Sequence, residues 1–219
     1  ANSVAVTLNL ILQQLALRPS SALEQITQIK AALIKAGRVS SDYDLNPDVI
    51  PVEQGIKSPA AVLIALMERD GLLSVILTKR AQHLRHHPGQ IAFPGGKVES
   101  DDASAEAASL REAYEEIGLP PENVEIFGGL PEHLTVTGFT VQPILGFVHR
   151  PFTPVLDEGE VEEIIYAPLS HLIDPTKYSV QRRQFRGTYR KYYTVPYGPH
   201  YIWGATARMT LGLAERISG

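Results

Sequence analysis

Cysteine is absent from all 219 residues. That one absence excludes a disulfide framework, a thiolate zinc site and a cysteine nucleophile. Long apolar runs are missing too. The longest aliphatic stretch, Ala60 to Met67, falls far short of the ~20 residues that a membrane-spanning helix needs. Nor is there a surplus of positive charge. Net charge is −4 and the isoelectric point about 6.0, so no general field draws in a nucleic-acid backbone. Neither a membrane nor polymeric DNA or RNA is therefore expected as partner, whereas a small phosphorylated ligand on a local basic patch stays open. The opening stretch ANSVAVTLNLILQQLAL carries no basic segment ahead of its apolar residues. It is expected to be helix and not a secretory signal, with a cytoplasmic location as the default.

What is present suits a globular chain. Hydrophobic residues make up 44 % and charged residues 20 %, enough apolar material for a sizeable core in one domain with an added segment. Leu8, Ile11, Leu12 and Leu15 recur at helical spacing. Ser21 and Glu24 form a capping-box pair ahead of Leu23, Ile26, Ile29 and Leu33, with Gly37 as the expected stop. The polar, Pro- and Gly-bearing stretch that follows reads as a connector. Residues 1–57 are thus expected to be a helical extension with its connector, and 58–219 the main domain.

Within that domain, two aliphatic runs flank Asp70-Gly71, a strong hairpin signal. Ser104 to Ile117 reads as a helix stopped by Gly118, with Leu110, Ala113, Tyr114 and Ile117 toward the core. VEIFGGL, TVQPILGFVH and EEIIYAPL read as short strands, KYYTVPY with YIW as a further strand pair, and Ala205 to Ile217 as a closing helix. This order predicts an α/β chain of the α+β type, a mixed sheet with helices packed on it.

The helix from 104 breaks two local rules in one place. Glu112, Glu115 and Glu116 stand at i, i+3 and i+4, and like charges at that spacing cost roughly 0.2–0.5 kcal/mol per pair. They also occupy the last turn, where the helix dipole disfavours negative charge. A solvated face with Arg111 paired to Glu115 is one reading. The other is a bound hard cation, which takes oxygen ligands and prefers phosphate oxygens to complete its shell. Gly95 and Gly96 precede the helix at a turn whose backbone can approach an anion closely.

The stretch GGKVESDDASAEAASLREAYEEIGL resembles the Nudix box of the Nudix hydrolases: Gly, five residues, Glu, seven residues, then Arg-Glu-apolar-x-Glu-Glu-x-Gly-apolar. Arg111 to Leu119 match in full. Between Gly96 and Arg111 lie fourteen residues, one more than the pattern has, and position 103 is Ala where the pattern puts its first Glu, so Asp101 or Asp102 stands in. The preceding LTKRAQHLRHHPGQIAFPGG resembles the further signature of the coenzyme A pyrophosphatase subgroup, with Arg80, Ala81, Arg85, Gly89, Phe93, Pro94, Gly95 and Gly96 in register.

The resemblance implies a Nudix fold, a mixed sheet between helices, and hydrolysis of a nucleoside diphosphate derivative with Mg²⁺ or Mn²⁺. It implies Glu112 and Glu116 as principal metal ligands, Glu115 assisting and Arg111 orienting them. Glu160 or Glu163 is the implied general base, with Glu116 the other candidate. Arg80, Arg85, Gly95 and Gly96 would bind substrate phosphate. Coenzyme A or a derivative is the implied substrate, giving 4′-phosphopantetheine and adenosine 3′,5′-bisphosphate; NADH, ADP-ribose and a non-catalytic binding module are the alternatives, and a homodimer stays open. His83, His86 and His87 are expected to be solvent-facing or hydrogen-bonded and not a metal cluster. RRQFRGTYRK is expected to be a charged hairpin, with contact to a 3′-phosphate as the other reading, and Trp203 a core residue.

Overall fold

Two-residue alternation decides the architecture. In the computed structural model, which describes residues 21–49, 57–185 and 187–218, strand β2 (Ser58–Arg69) sends Ile64 and Leu66 to one face and Leu63 and Ala65 to the other. Strand β3 (Leu72–Arg80) divides Val75 and Leu77 from Ile76 in the same way. Successive side chains of a strand point to opposite faces, so a strand apolar at every position needs cover on both sides. Both covers are present. Helix α2 (Ala105–Ile117) lays Ala113 and Ile117 on one face; α1 (Ala22–Ile34) and α4 (Ala205–Ser218) lay Ile26, Ile29, Met209 and Leu213 on the other.

Among the described residues the sheet has nine strands. The path runs from β1 (Ser40–Ser41) through β7 (His133–Leu134), β8 (Phe139–Val148), β2 and β3 to β4 (Ile91–Ala92). Off this path β5 (Gly95–Lys97) joins β2, β6 (Val124–Gly129) joins β8 and β9 (Val161–Pro168) joins β3. β2 runs parallel to β8 and antiparallel to β3, so the sheet is mixed. The short helix α3 (Leu169–Leu172) follows β9, and β10 (Ser179–Phe185) pairs with β11 (Thr188–Thr194) as a separate hairpin. No described helix is long and apolar enough to cross a membrane.

Local chemistry set most element ends. Arg69 pairs with Leu72 across Asp70 (φ 52°) and Gly71 (φ 79°), the two positive φ values of the turn that matches strand twist. Ser21 Oγ accepts the Glu24 amide while the Glu24 carboxylate accepts the Ser21 amide, completing the expected capping box. Gly118 (φ 68°) ends α2 in the left-handed conformation.

Other expectations are corrected. α1 stops at Ile34 rather than at Gly37, because Lys35 turns extended and Arg216 of α4 donates to the carbonyls of Ala32, Leu33 and Lys35. Gly37 serves packing instead, since a Cβ there would run into Arg216 and Pro131. Leu23 is 73 % exposed; the buried stripe of α1 is Ala22, Ile26, Ile29 and Ala32. Tyr114 is likewise 57 % exposed, so α2 rests on smaller side chains. Residues 191–194 pair with 179–182, while Trp203 makes only an isolated bridge to Thr194. The helix expected at 8–15 lies outside the described residues.

The connector is not loose at its start. Ser40 and Ser41 add β1 to the sheet edge, parallel to His133 and Leu134. Fully buried His133 contacts Ser40 Oγ through Nδ1 at 2.9 Å and Asp42 through Nε2 at 3.1 Å. Replacing Asp42 by Ala removes the partner of a buried ring nitrogen, and we expect a loss of about 1–3 kcal/mol. Asp42→Asn, which keeps an acceptor, should lose less; urea unfolding of both variants checks the order.

Candidate active site

The acidic helix delivers its side chains to three different environments. On α2, Glu115 is exposed, Glu112 is half-buried and Glu116 is 5 % exposed. Arg111 gathers the acids around one guanidinium. It donates Nε to Asp102 Oδ1 at 3.0 Å and Nη2 to Asp102 Oδ2 at 2.9 Å, a two-pronged pair of the strong, directional kind. Its Nη1 reaches Glu112 at 3.0 Å and Glu115 at 2.9 Å, and Nη2 also meets the Lys97 carbonyl. The Arg111–Glu115 pair expected from the sequence exists, while Glu116, buried, has no hydrogen bond to Arg111 among the described residues.

The lengthened loop before α2 has a visible purpose. Asp102 accepts the Glu99 amide at 2.8 Å as well as the Arg111 fork, which hold its carboxyl below the ordinary range. Of the two aspartates standing in for the missing Glu, Asp102 is thus the one that grips Arg111; Asp101 is exposed beside Ser100.

The glycine pair lies beneath the carboxylates. A Cβ on Gly96 would sit 2.5 Å from the Glu112 carboxylate, so only glycine leaves room for it. Gly95 (φ 154°) packs on the backbone of Ala61 and Val62, and its amide faces Glu116. Sequence reasoning gave these glycines to substrate phosphate; their contacts here are with the protein's own acids.

Glu116 is the strained member. Burial, then the Glu112 and Glu160 carboxylates, push it up to about 8, against the downward pull of Arg80 and the Gly95 amide. Burial raises Glu112 in the same direction, with Arg111 opposing. One Glu116 oxygen, Oε2, is buried without a hydrogen-bond partner. Glu160 comes close because the end of α2 is tied to the following loop: Val155 donates to the Ile117 carbonyl and Asp157 to that of Glu116. Its rival Glu163 lies on β9, 3.8 Å from His200.

A divalent cation fits this donor set. The ligands are hard oxygens, one of them buried and unsatisfied, and a cation would offset the repulsion that raises both glutamates. The fit needs side-chain convergence, since among the described residues no three carboxylate or imidazole groups already surround a common point.

A cavity of about 1020 Å³, whose lining includes Arg80 but none of the α2 glutamates, is at the upper end of the size range for small-molecule sites. Arg80 connects the two: it lines the cavity and acts on Glu116. A register shift between Lys79 and Arg80 in the β3–β9 ladder aims it. Arg85 is exposed and does not line the cavity. His83 bonds the Gly159 carbonyl, whereas His87 (φ 54°) lines the cavity. Trp203 is no core residue: half-buried, it lines the cavity with Tyr192 5.1 Å away and Arg183 over its ring. Sequence reasoning also missed Asp42, Asp44 and Arg208 on this wall; they come from segments far apart in the chain, and no spacing pattern joins them.

Two predictions follow from the geometry. Freed of metal by chelation, Glu116 keeps its proton in the folded chain up to about pH 8 but ionises near 4.5 when unfolded. Folding then binds a proton between those values, so the stability present below pH 4.5 is lost as pH rises to 8. The slope is at most about 1.4 kcal/mol per pH unit for one proton. Denaturation in EDTA across that range should show the decline, Glu116→Gln should flatten it, and Mn²⁺ should reverse it at pH 8. Second, Arg111→Ala should weaken Mn²⁺ binding by about 10–100-fold, as loss of an orienting partner does; titration calorimetry measures it.

The chain is similar to known proteins. The NUDIX domain family model matches residues 57–188. The uncharacterized Nudix hydrolase NudL of Enterobacter sp. (strain 638) is 46 % identical over 160 residues, covering 72 % of this chain and 82 % of that protein. NudL of Salmonella newport (strain SL254) is 42 % identical over the same shares. Among solved structures, the Nudix hydrolase RenU of M. smegmatis aligns with a TM-score of 0.45 at 23 % identity, over 52 % of this chain and 73 % of that one. The Ap4A hydrolase of C. elegans aligns with a TM-score of 0.43 at 20 % identity, over 51 % and 80 %. With the Arg-Glu-x-x-Glu-Glu segment on its helix, a family match over more than half its length and relatives of this identity, the chain belongs to the Nudix hydrolase family.

Proposed function

We propose that the chain hydrolyses the diphosphate of coenzyme A, or of a derivative, to 4′-phosphopantetheine and adenosine 3′,5′-bisphosphate. One observation carries this reading: a buried, unsatisfied Glu116 carboxylate under the charge of Arg80, which itself lines a large cavity with other cations and aromatic rings. The subgroup signature from Leu77 to Gly96 supports the choice of substrate.

Glu112 and Glu116 would hold Mg²⁺ or Mn²⁺, with Glu115 assisting and Arg111 fixing their orientation. The cation supplies charge neutralisation at the diphosphate and makes water a better nucleophile. Arg80 binds a diphosphate oxygen through its fork, which a lysine could not match in geometry. Arg85 is a second donor from the exposed loop. Glu160, near Glu112 and Glu116, takes the proton of the attacking water; Glu163 is the other candidate. Water attacks one phosphorus of the diphosphate and the bridging P–O bond breaks. That phosphorus keeps the water's hydroxyl, the bridging oxygen leaves on the other phosphate and the released proton goes to base and solvent, so both products end in phosphate monoesters.

Incubating the pure protein with Mg²⁺ or Mn²⁺ and resolving products by mass tests this reading. We expect the two named products, and we expect Glu116→Gln to lose nearly all turnover while keeping its fold. Intact coenzyme A beside cleaved NADH or ADP-ribose would replace the substrate. No turnover on any of them, with retained ligand binding, would make the chain a binding module.

A further inference from the structure

A second pair of like charges breaks a local rule, in the lining of the cavity that Arg80 also lines. In the β10–β11 hairpin, Arg183 stands directly across from Arg190, and Arg182 across from Lys191. Like charges directly opposite one another destabilise a strand pair. Cross-strand partners share a face, and both Arg183 and Arg190 line the cavity. The register is not free to slip and relieve them. Buried Asn46 clamps the hairpin edge, donating to the Lys191 carbonyl at 2.9 Å and accepting its amide at 2.8 Å.

Two other cations of the cavity are already engaged. Lys79 pairs with Glu162, and Arg208 with Asp44 and Glu215. Arg183, by contrast, is in no ion pair among the described residues; its guanidinium lies over Trp203, 5.1 Å from the ring centre. Stacking of this kind uses the flat face of the guanidinium and leaves its edge donors for an anion. The Arg190 guanidinium lies over the Tyr43 ring, 5.5 Å from its centre. Two guanidinium groups set over aromatic rings and lining one cavity from one hairpin face suit a doubly charged phosphate.

We propose that Arg183 and Arg190, opposed on the hairpin and backed by Trp203 and Tyr43, form a subsite for a phosphomonoester on the nucleotide's ribose, apart from the diphosphate that is cleaved. This deepens the coenzyme A reading and rests on it for the identity of the phosphomonoester. The nucleotide end of the substrate then lies in the cavity, with its diphosphate at Arg80 and its other end outside.

Calorimetric titration without divalent metal tests the subsite apart from turnover, using adenosine 3′,5′-bisphosphate and 5′-AMP as probes. Wild-type protein should bind the bisphosphate roughly 10-fold or more tightly than AMP, as expected for a two-guanidinium contact. Arg183→Ala, on an exposed strand, should bring that ratio close to one while leaving AMP affinity within about twofold. Arg183→Lys, with charge but no fork, should fall between. Equal affinities in the wild type, or an unchanged ratio in both Arg183→Ala and Arg190→Ala, would overturn the subsite. The outcomes separate from those of the reaction. A protein that leaves coenzyme A intact yet shows the ratio discards the substrate and keeps the subsite. One that cleaves coenzyme A and its 3′-dephospho form equally, with no ratio, keeps the reaction and discards the subsite.

Discussion

One guanidinium organises the acidic end of this fold. Arg111 binds Asp102 with two donors, Glu112 and Glu115 with a third, and the Lys97 carbonyl besides. Four carboxylates crowd the last turn of α2 and the loop before it, and only three of them touch that cation. Glu116 is left turned inward, where burial and the neighbouring acids keep it protonated well above the ordinary carboxylate range. The arrangement satisfies every acid except the one placed deepest. Such a local violation amid well-satisfied surroundings is characteristic of a functional site.

The same economy governs the backbone beneath it. Gly96 is small so that the Glu112 carboxylate has somewhere to lie, and Gly95 packs flat on β2. The bulge in β3 at Arg80 lets a strand that is otherwise core end in a cation facing both the carboxylates and the cavity. The rigid sheet, covered on both faces, holds these positions; the loops and the hairpin only add to its rim. The rest of the cavity lining comes largely from the β1 edge, from the hairpin and from the residues ahead of α4, three segments brought together by packing alone.

Legibility followed the range of the interaction. Capping by Ser21, the Asp70-Gly71 turn and the Gly118 stop are contacts within a few residues, and each is readable from spacing. The Gly37 stop was not, because the end of α1 is satisfied by Arg216 from the other end of the chain. Tyr114 and Leu23 fit the helical period yet face solvent, since period fixes relative angles on a helix and not which angle meets the sheet. Trp203 was taken for core on composition; its neighbours Arg183 and Tyr192 come from a different hairpin strand each.

The residues alone determined the helix bearing the three glutamates, the hairpin that builds the centre of the sheet, and the family, because each rests on short-range geometry and a fixed spacing of residue types. Only the folded chain decided which glutamate is buried, that Asp102 and not Asp101 answers to Arg111, and that Arg80 shares a cavity with Arg183 and Trp203. Desolvation and charge coupling depend on distance through space, and residues 80, 116 and 183 become neighbours of one site only after the sheet has closed over its two cores.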